Sequence, residues 1–319
     1  MIEKHQILDV MNDTRNEKLI IETILVFVLN SLAAVLIQNY IDNTAIKWFL
    51  YVPLLLFQGL WFYRFYIVGH EASHKKLFPN SLSKNDFWGS IILAPLMVPI
   101  LIYRKIHYFH HGFNRKDEHT SVLDTYVVKG NNKQLKKIYI YFIWYLSVFF
   151  GGFFLHSLIS VILFLFIPPS IAVKISPAFK GWSVSNQLKS ILLFLVGLGF
   201  HLSIYFLLGK EIYLYTLGYP MLSFAWVFSL IVYIFHYDTT MGNEVRFNVR
   251  SVKRIPIFSW ILMNFHEHAT HHQYPNIPWH ELPKKSIALP EEFSKKNQNT
   301  WNFFSAIINQ LKGPKIVYE

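Results

Sequence analysis

Read as a string of apolar and polar positions, the chain alternates long apolar runs with short polar punctuation. Crossing about 30 Å of hydrocarbon takes roughly 20 helical residues, and four runs meet that length: Leu19–Ile41, Ile46–Val68, Leu188–Leu208 and Ile212–His236. Only Asp42–Ala45 separates the first two and only Gly209–Glu211 the last two. Links this short make each pair a helical hairpin, with both turns on one membrane face.

Two further apolar segments are irregular. Phe87–Tyr103 is short and carries Pro95 and Pro99, which interrupt helical hydrogen bonding; it reads as re-entrant or interfacial. Ile138–Ile167 is long enough to cross, but Gly151–Gly152 divides it and Pro168–Pro169 ends it. Two half-helices that dip in and return keep everything before and after this segment on one side. The expected fold is an all-α integral membrane helical bundle. It has four transmembrane helices in two hairpins, re-entrant or interfacial helices, and a histidine-rich metal-binding cap. No linker-like or low-complexity tract divides the chain, so residues 1–319 read as a single domain.

Composition agrees with a lipid environment: 53% of residues are hydrophobic and 15% charged, against roughly 25% charged in soluble domains. The net charge of +11 does not read as nucleic-acid binding, because the basic residues sit between the apolar runs. Arg104, Lys105, Arg115, Lys116, Lys129, Lys133, Lys136 and Lys137 fall in one polar stretch, and Arg246, Arg250, Lys253 and Arg254 in another. The positive-inside rule then makes the face opposite the hairpin turns cytoplasmic. The N-terminal stretch, with acidic residues and no apolar core before a cleavage site, does not resemble a signal peptide.

The chain has no cysteine, which excludes thiolate metal sites, disulfides and cysteine nucleophiles. It has 15 histidines, and eight gather in three groups: His70 and His74 in HEASH, His107, His110 and His111 in HYFHH, and His268, His271 and His272 in HATHH. On a helix, positions three or four apart share a face. Each group can therefore present two imidazoles to one metal and a third to its neighbour. At this histidine frequency the HxxHH pattern is expected about 0.03 times by chance; it occurs twice. Interfacial histidines have no reason to adopt such periods, and one zinc ion takes three or four protein ligands, so eight histidines imply two metals.

The order HxxxH, HxxHH, HxxHH at the ends of apolar helices resembles the membrane fatty acid desaturase superfamily. The run NFHEHATHHQYPNIPWHELP (Asn264–Pro283), where a proline-rich turn follows the last box, strengthens the likeness. The resemblance implies the eight box histidines as ligands, and His236 in YIFHYDTT as a ninth. The asparagine found four residues before that histidine in some members is Val232 here. It further implies two iron ions as cofactors and O₂ as co-substrate.

The activity implied is oxidation of a lipid substrate, an acyl chain or a carotenoid. Fatty acyl desaturation leads; a lipid hydroxylase or ketolase on the same scaffold is the alternative, and a non-enzymatic metal-binding membrane protein a more distant one. An external electron donor such as ferredoxin or cytochrome b₅ is required, since the chain has no cysteine cluster, GxGxxG motif or haem domain of its own. Glu71, Asp117, Asp238 and Glu267 neighbour the ligands and are candidates for orienting them. His119 is a similar candidate. His266 lies outside the HxxHH period, and His5 and His280 read as surface. His156 and His201 fall inside apolar segments, where an ionisable side chain is either functional or bonded to a neighbouring helix. The aromatic stretches Trp61–Tyr66 and Tyr219–Tyr233 are candidate linings for a lipid tail, or ordinary packing.

Overall fold

The computed structural model describes residues 2–118, 123–130 and 132–319, with side chains described from Asp13 onward. His119 and the side chain of His5 lie outside the described residues. The helices run α1 (Ile2–Tyr40), α2 (Thr44–Ser73), α3 (Leu82–Leu93), α4 (Ile100–Phe113), α5 (Lys133–Phe149), α6 (Gly152–Phe166), α7 (Pro169–Ile175), α8 (Val184–Leu208), α9 (Lys210–Tyr213) and α10 (Tyr219–Ile231). Short helices follow, among them α11 (Pro256–Ile261) and α12 (His268–Gln273).

Among the described residues, four helices are long and apolar enough to cross a membrane: Asp13–Tyr40, Thr44–Ser73, Val184–Leu208 and Lys210–Ile231. These are the four expected spans. The last is α9 joined to α10 through one π-helical turn at Leu214–Gly218. The first hairpin turn is closed by Asn43, whose side chain accepts a hydrogen bond from the Ile46 amide at 3.1 Å and so satisfies one of the free amides at the start of α2. The second turn is tighter than the sequence suggests. Gly209 alone separates α8 from α9, at φ 95°, a backbone that glycine adopts without steric cost.

Both irregular segments bend as their proline and glycine residues require. The axis turns by 94° between Leu82–Leu96 and Ile100–Phe113, and by 89° between Lys133–Phe149 and Gly152–Phe166. Gly151, at φ 83°, forms the second corner.

The chain falls into two compact units, 1–105 with 158–224 and 106–157 with 225–319. In the first, long apolar side chains such as Leu25, Leu29, Leu192 and Phe206 stand exposed along α1 and α8, as suits helices facing lipid. Trp61, Phe62, Tyr63 and Arg64 are buried instead. Arg64 meets Glu22 at 3.1 Å and Thr23 Oγ1 at 3.2 Å, while the Trp61 indole donates to the Thr23 carbonyl at 2.8 Å; α1 and α2 are thus joined by polar contacts as well as by packing. The aromatic stretch Trp61–Tyr66 is mainly core, although Phe65 also lines an apolar cavity of about 650 Å³ between α1, α3 and α8.

The second unit contains a departure from an all-helical chain. Two short strands, β1 (Thr125–Val128) and β2 (Lys315–Tyr318), pair in parallel, Thr125 opposite Lys315 and Val128 opposite Tyr318. Their sequences, TYVV and KIVY, are rich in β-branched and aromatic residues that suit a pleated surface. The core here gathers Trp144, Val148, Phe153, Tyr233 and Tyr237.

Candidate metal centre

His70 lies in the last turn of α2 and His74 caps its end. One helical turn apart, their rings stack edge-on with centroids 4.7 Å apart, and both are buried. The carbonyls of a helix C-terminus carry partial negative charge, which favours a cation. Two neighbours fix this end. Arg104 donates to the carbonyls of Ser73 at 3.0 Å and Ala72 at 3.3 Å and pairs with Asp86 at 2.6 Å. Gly69 lets α3 approach so closely that a Cβ there would sit 2.4 Å from the Leu93 side chain.

In the second unit, His107, His110 and His111 occupy the last turns of α4. The third box falls on a much shorter helix than its spacing suggests: a 3₁₀ turn at Phe265–Glu267 leads directly into the six-residue α12. His236 also differs in setting. Helix α10 ends at Ile231, and His236 sits beyond it in a run of turns rather than at a helix end.

These seven rings sort into two groups, and the sorting follows the spacing. His107 and His111, four apart, have Nε2 atoms 3.0 Å from each other, and His271 Nε2 comes within 3.1 Å of His111 Nε2. His268 and His272, also four apart, join His110 and His236 in a second group, whose ligand atoms all lie within 4.8 Å of one another. Each HxxHH box therefore gives an i,i+4 pair to one group and its remaining histidine to the other.

The second group fits a metal by its own unsatisfied atoms. Both ring nitrogens of His272 and the Nδ1 of His236 are buried without a hydrogen-bond partner, a condition that costs about 1–3 kcal/mol per group and that a cation would relieve. Burial first, and then the neighbouring His110, His268, Arg115 and His111, push the pKa of His236 well below the usual histidine range. His272 is lowered by burial and by the same cluster. Both rings are thus neutral at pH 7, with lone pairs available to a metal.

The turn that presents His236 is held by groups whose part the sequence did not reveal. Arg115, also buried, donates from Nη1 to Asp124 at 2.5 Å and to the Tyr233 hydroxyl at 3.0 Å. Its Nη2 donates to the Thr239 carbonyl at 3.0 Å and its Nε to that of Thr240 at 3.2 Å. Burial works against the Arg115 charge, but Tyr233 and Asp124 outweigh it and raise the pKa.

A model of the fatty acid desaturase family matches residues 46–304, most of the chain. The chain belongs to the fatty acid desaturase family. Among curated relatives, this family member is similar to an endoplasmic-reticulum omega-3 fatty acid desaturase of Vigna radiata, 26% identical over 282 residues, which are 81% of this chain and 67% of the relative. It is similar to a chloroplastic omega-3 fatty acid desaturase of Glycine max at 23% over 281 residues, 80% of this chain and 57% of that one. A shorter stretch, 33% identical over 73 residues, matches an sn-1 acyl-lipid omega-3 desaturase (ferredoxin) of Synechocystis, covering 23% of this chain and 19% of the relative.

The remaining candidates of this desaturase-family chain spread over different roles. Glu71 is buried, its carboxylate 3.6 Å from His70 Nδ1, where it suits orientation of that ring. Glu267 accepts instead from Thr270 at 3.3 Å and Ser286 at 3.1 Å, and stands 3.7 Å from His266 Nε2. Burial raises its pKa, with those two hydroxyls opposing. His266 hydrogen-bonds Ser259 at 3.2 Å and is lowered to about 4 by burial; it is a structural histidine outside both groups. The Asp238 carboxylate lies 3.7 Å from Lys296. Asp117 is partly buried. Within the apolar segments, His201 bonds the Pro95 carbonyl at 2.8 Å, whereas His156 is exposed on α6. His280 is largely covered and lies 3.7 Å from Glu281, so it is not a surface residue. Of the basic residues assigned to membrane orientation, Arg115 and Arg250 are buried and Arg104 is half-buried: Arg250 donates to the Tyr237 carbonyl, and its burial lowers its pKa to about 10.

Proposed function

We propose that this chain is a fatty acyl desaturase in which His70, His74, His107, His110, His111, His236, His268, His271 and His272 hold two iron ions. The observation that carries the reading is the sorting of the box histidines into i,i+4 pairs that meet in two groups, in a chain of this family. All-nitrogen donors suit iron as well as zinc or copper, and membership of a redox family favours iron.

When bound, the iron pair supplies O₂ activation and hydrogen abstraction from an unactivated C–H bond. Overall, two hydrogens leave adjacent carbons of the acyl chain, and with two electrons and two protons from an external donor one O₂ becomes two waters. The protein's part is placement. The lowered pKa values of His110, His236 and His272 keep those rings neutral and ready for a metal at pH 7, and Glu71 orients His70. An apolar wall of Phe27, Phe65, Ile91 and Phe200 offers a dry place for an acyl tail among lipid-facing helices. The Tyr219–Tyr233 stretch contributes nothing to that wall.

Residues 1–319 act as one membrane domain with the boxes on the cytoplasmic face, where Lys116, Lys129, Lys133, Lys136 and Lys137 remain to steer an acidic donor. Ferredoxin and cytochrome b₅ are the donor types proposed. Expression with a compatible reductase followed by lipid mass spectrometry tests the reading. Loss of about two mass units from an acyl chain marks a new double bond, and a gain of about sixteen would replace desaturation by hydroxylation. A protein that leaves both lipids and pigments unchanged while fully metallated would overturn it.

A further inference from the structure

The turn carrying His236 is gripped from both sides by one buried ion pair. Three residues before His236, the Tyr233 hydroxyl accepts from Arg115 Nη1 at 3.0 Å and from the Leu123 amide at 3.0 Å, while it points at Asp124 Oδ1 at 3.4 Å. After His236, the Asp238 amide donates to Asp124 Oδ2 at 2.6 Å, and the carbonyls of Thr239 and Thr240 accept from the same guanidinium. Asp238 has φ 53°, a left-handed conformation that Asp adopts more readily than most non-glycine residues. Its amide bond to Asp124 lies at that kink.

Asp124 Oδ1 also accepts from the adjacent Thr125 Oγ1 at 3.4 Å. Arg115 and Asp124 are almost wholly buried, with side chains 3% and 4% exposed, far from the role in membrane orientation that a basic loop residue usually has. A buried pair of this kind is an inefficient way to gain stability, since apolar residues of similar volume often do as well. Its geometry instead fixes backbone: four groups of residues 233 to 240, the Tyr233 hydroxyl, the Asp238 amide and the Thr239 and Thr240 carbonyls, converge on it on both sides of His236. With the turn fixed, His236 Nε2 stands 3.1 Å from His268 Nε2.

We propose that Arg115 and Asp124 are positioning residues for the metal centre, holding His236 in ligating geometry through Tyr233 and the 238–240 backbone. The inference rests on the reading of His236 as a ligand. It assigns Asp124 a role through the protein backbone rather than through contact with metal or substrate, and it explains how a turn, not a helix end, delivers this histidine.

A double-mutant cycle tests it on purified full-length protein, with cobalt(II) and iron(II) titrated as probes and helicity followed by circular dichroism. Asp124→Ala should weaken one of two metal-binding events by about 10–100-fold, the usual effect of losing an outer-shell support, and His236→Ala, which removes the ligand itself, should weaken the same event at least as much. Because Asp124 acts through His236, the double variant should bind no more weakly than His236→Ala alone. Tyr233→Phe keeps the ring in place, removes only the hydroxyl, and should shift the same event in the same direction. Additive losses in the double variant would show a merely structural role and overturn the proposal. If Asp124→Ala does not fold, Tyr233→Phe decides, and wild-type affinity in that variant overturns it. Wild-type affinity in His236→Ala would instead remove the ligand reading, and this inference with it. A normal loss in His236→Ala beside full affinity in Asp124→Ala would overturn the positioning role alone.

Discussion

The Nε2 atoms of His236 and His268 stand 3.1 Å apart, across 32 residues of sequence and inside a cluster of four imidazoles, three of them buried and His110 half-buried. A single shared proton would satisfy that one contact. It would leave both nitrogens of His272 and the Nδ1 of His236 without partners, so a cation answers the whole cluster better than a hydrogen bond answers the pair.

His272 and His266 therefore separate by metal content. Replacing His272 with alanine should take bound iron from two per chain toward one, because its ring belongs to the cluster. Replacing His266, whose Nδ1 is bonded to Ser259, should leave iron unchanged. Inductively coupled plasma analysis of the purified variants distinguishes them, and equal iron in both would count against the grouping.

Gly69 should be intolerant of any side chain. A Cβ there would meet Leu93 at 2.4 to 2.9 Å, so Gly69→Ala should cost about 1–3 kcal/mol by overpacking. As the neighbouring residue is His70, metal occupancy should fall as well. Gly69→Ala with Leu93→Ala should recover part of the loss in a thermal-melt comparison; no recovery would mean that α2 and α3 do not meet through this contact.

His201 is expected to matter for stability only. It ties α8 to the proline-interrupted turn through the Pro95 carbonyl at 2.8 Å, which Pro99 and the bend leave without a regular helical donor. His201→Leu should lower stability by about 1–3 kcal/mol, the cost of an orphaned buried acceptor, with metal content intact. Loss of metal in this variant would give the histidine a larger role.

The metal-free protein should lose stability as pH falls. His266 has a folded pKa of about 4 and an unfolded value near 6.5. Between these values the unfolded chain binds more protons, so stability is fully present above about pH 6.5 and declines toward pH 4, by about 3 kcal/mol for this residue alone. Chemical denaturation of the metal-free His266→Asn variant across this range should give a flatter profile. An unchanged slope would contradict the assignment.

Much of this organisation was legible in the sequence. The spans followed from run length, the two bends from Pro95, Pro99 and Gly151–Gly152, and the division of each HxxHH box between two groups from helical periodicity. What was hidden depends on contacts distant in sequence. Asp124 and Tyr233 lie 109 residues apart, so Arg115 read as one more basic loop residue rather than as half of a buried pair. The strand pairing of Thr125–Val128 with Lys315–Tyr318 was hidden for the same reason, being parallel and 190 residues apart in the chain. His236 was visible only by resemblance, since no periodic signal marks a ligand carried on a turn.

Iron analysis of the unmutated protein, purified from cells supplied with iron, tests the central claim most directly. Nine histidines arranged as these are should retain two irons per chain with little zinc. One ion or none, or zinc in place of iron, would contradict the account.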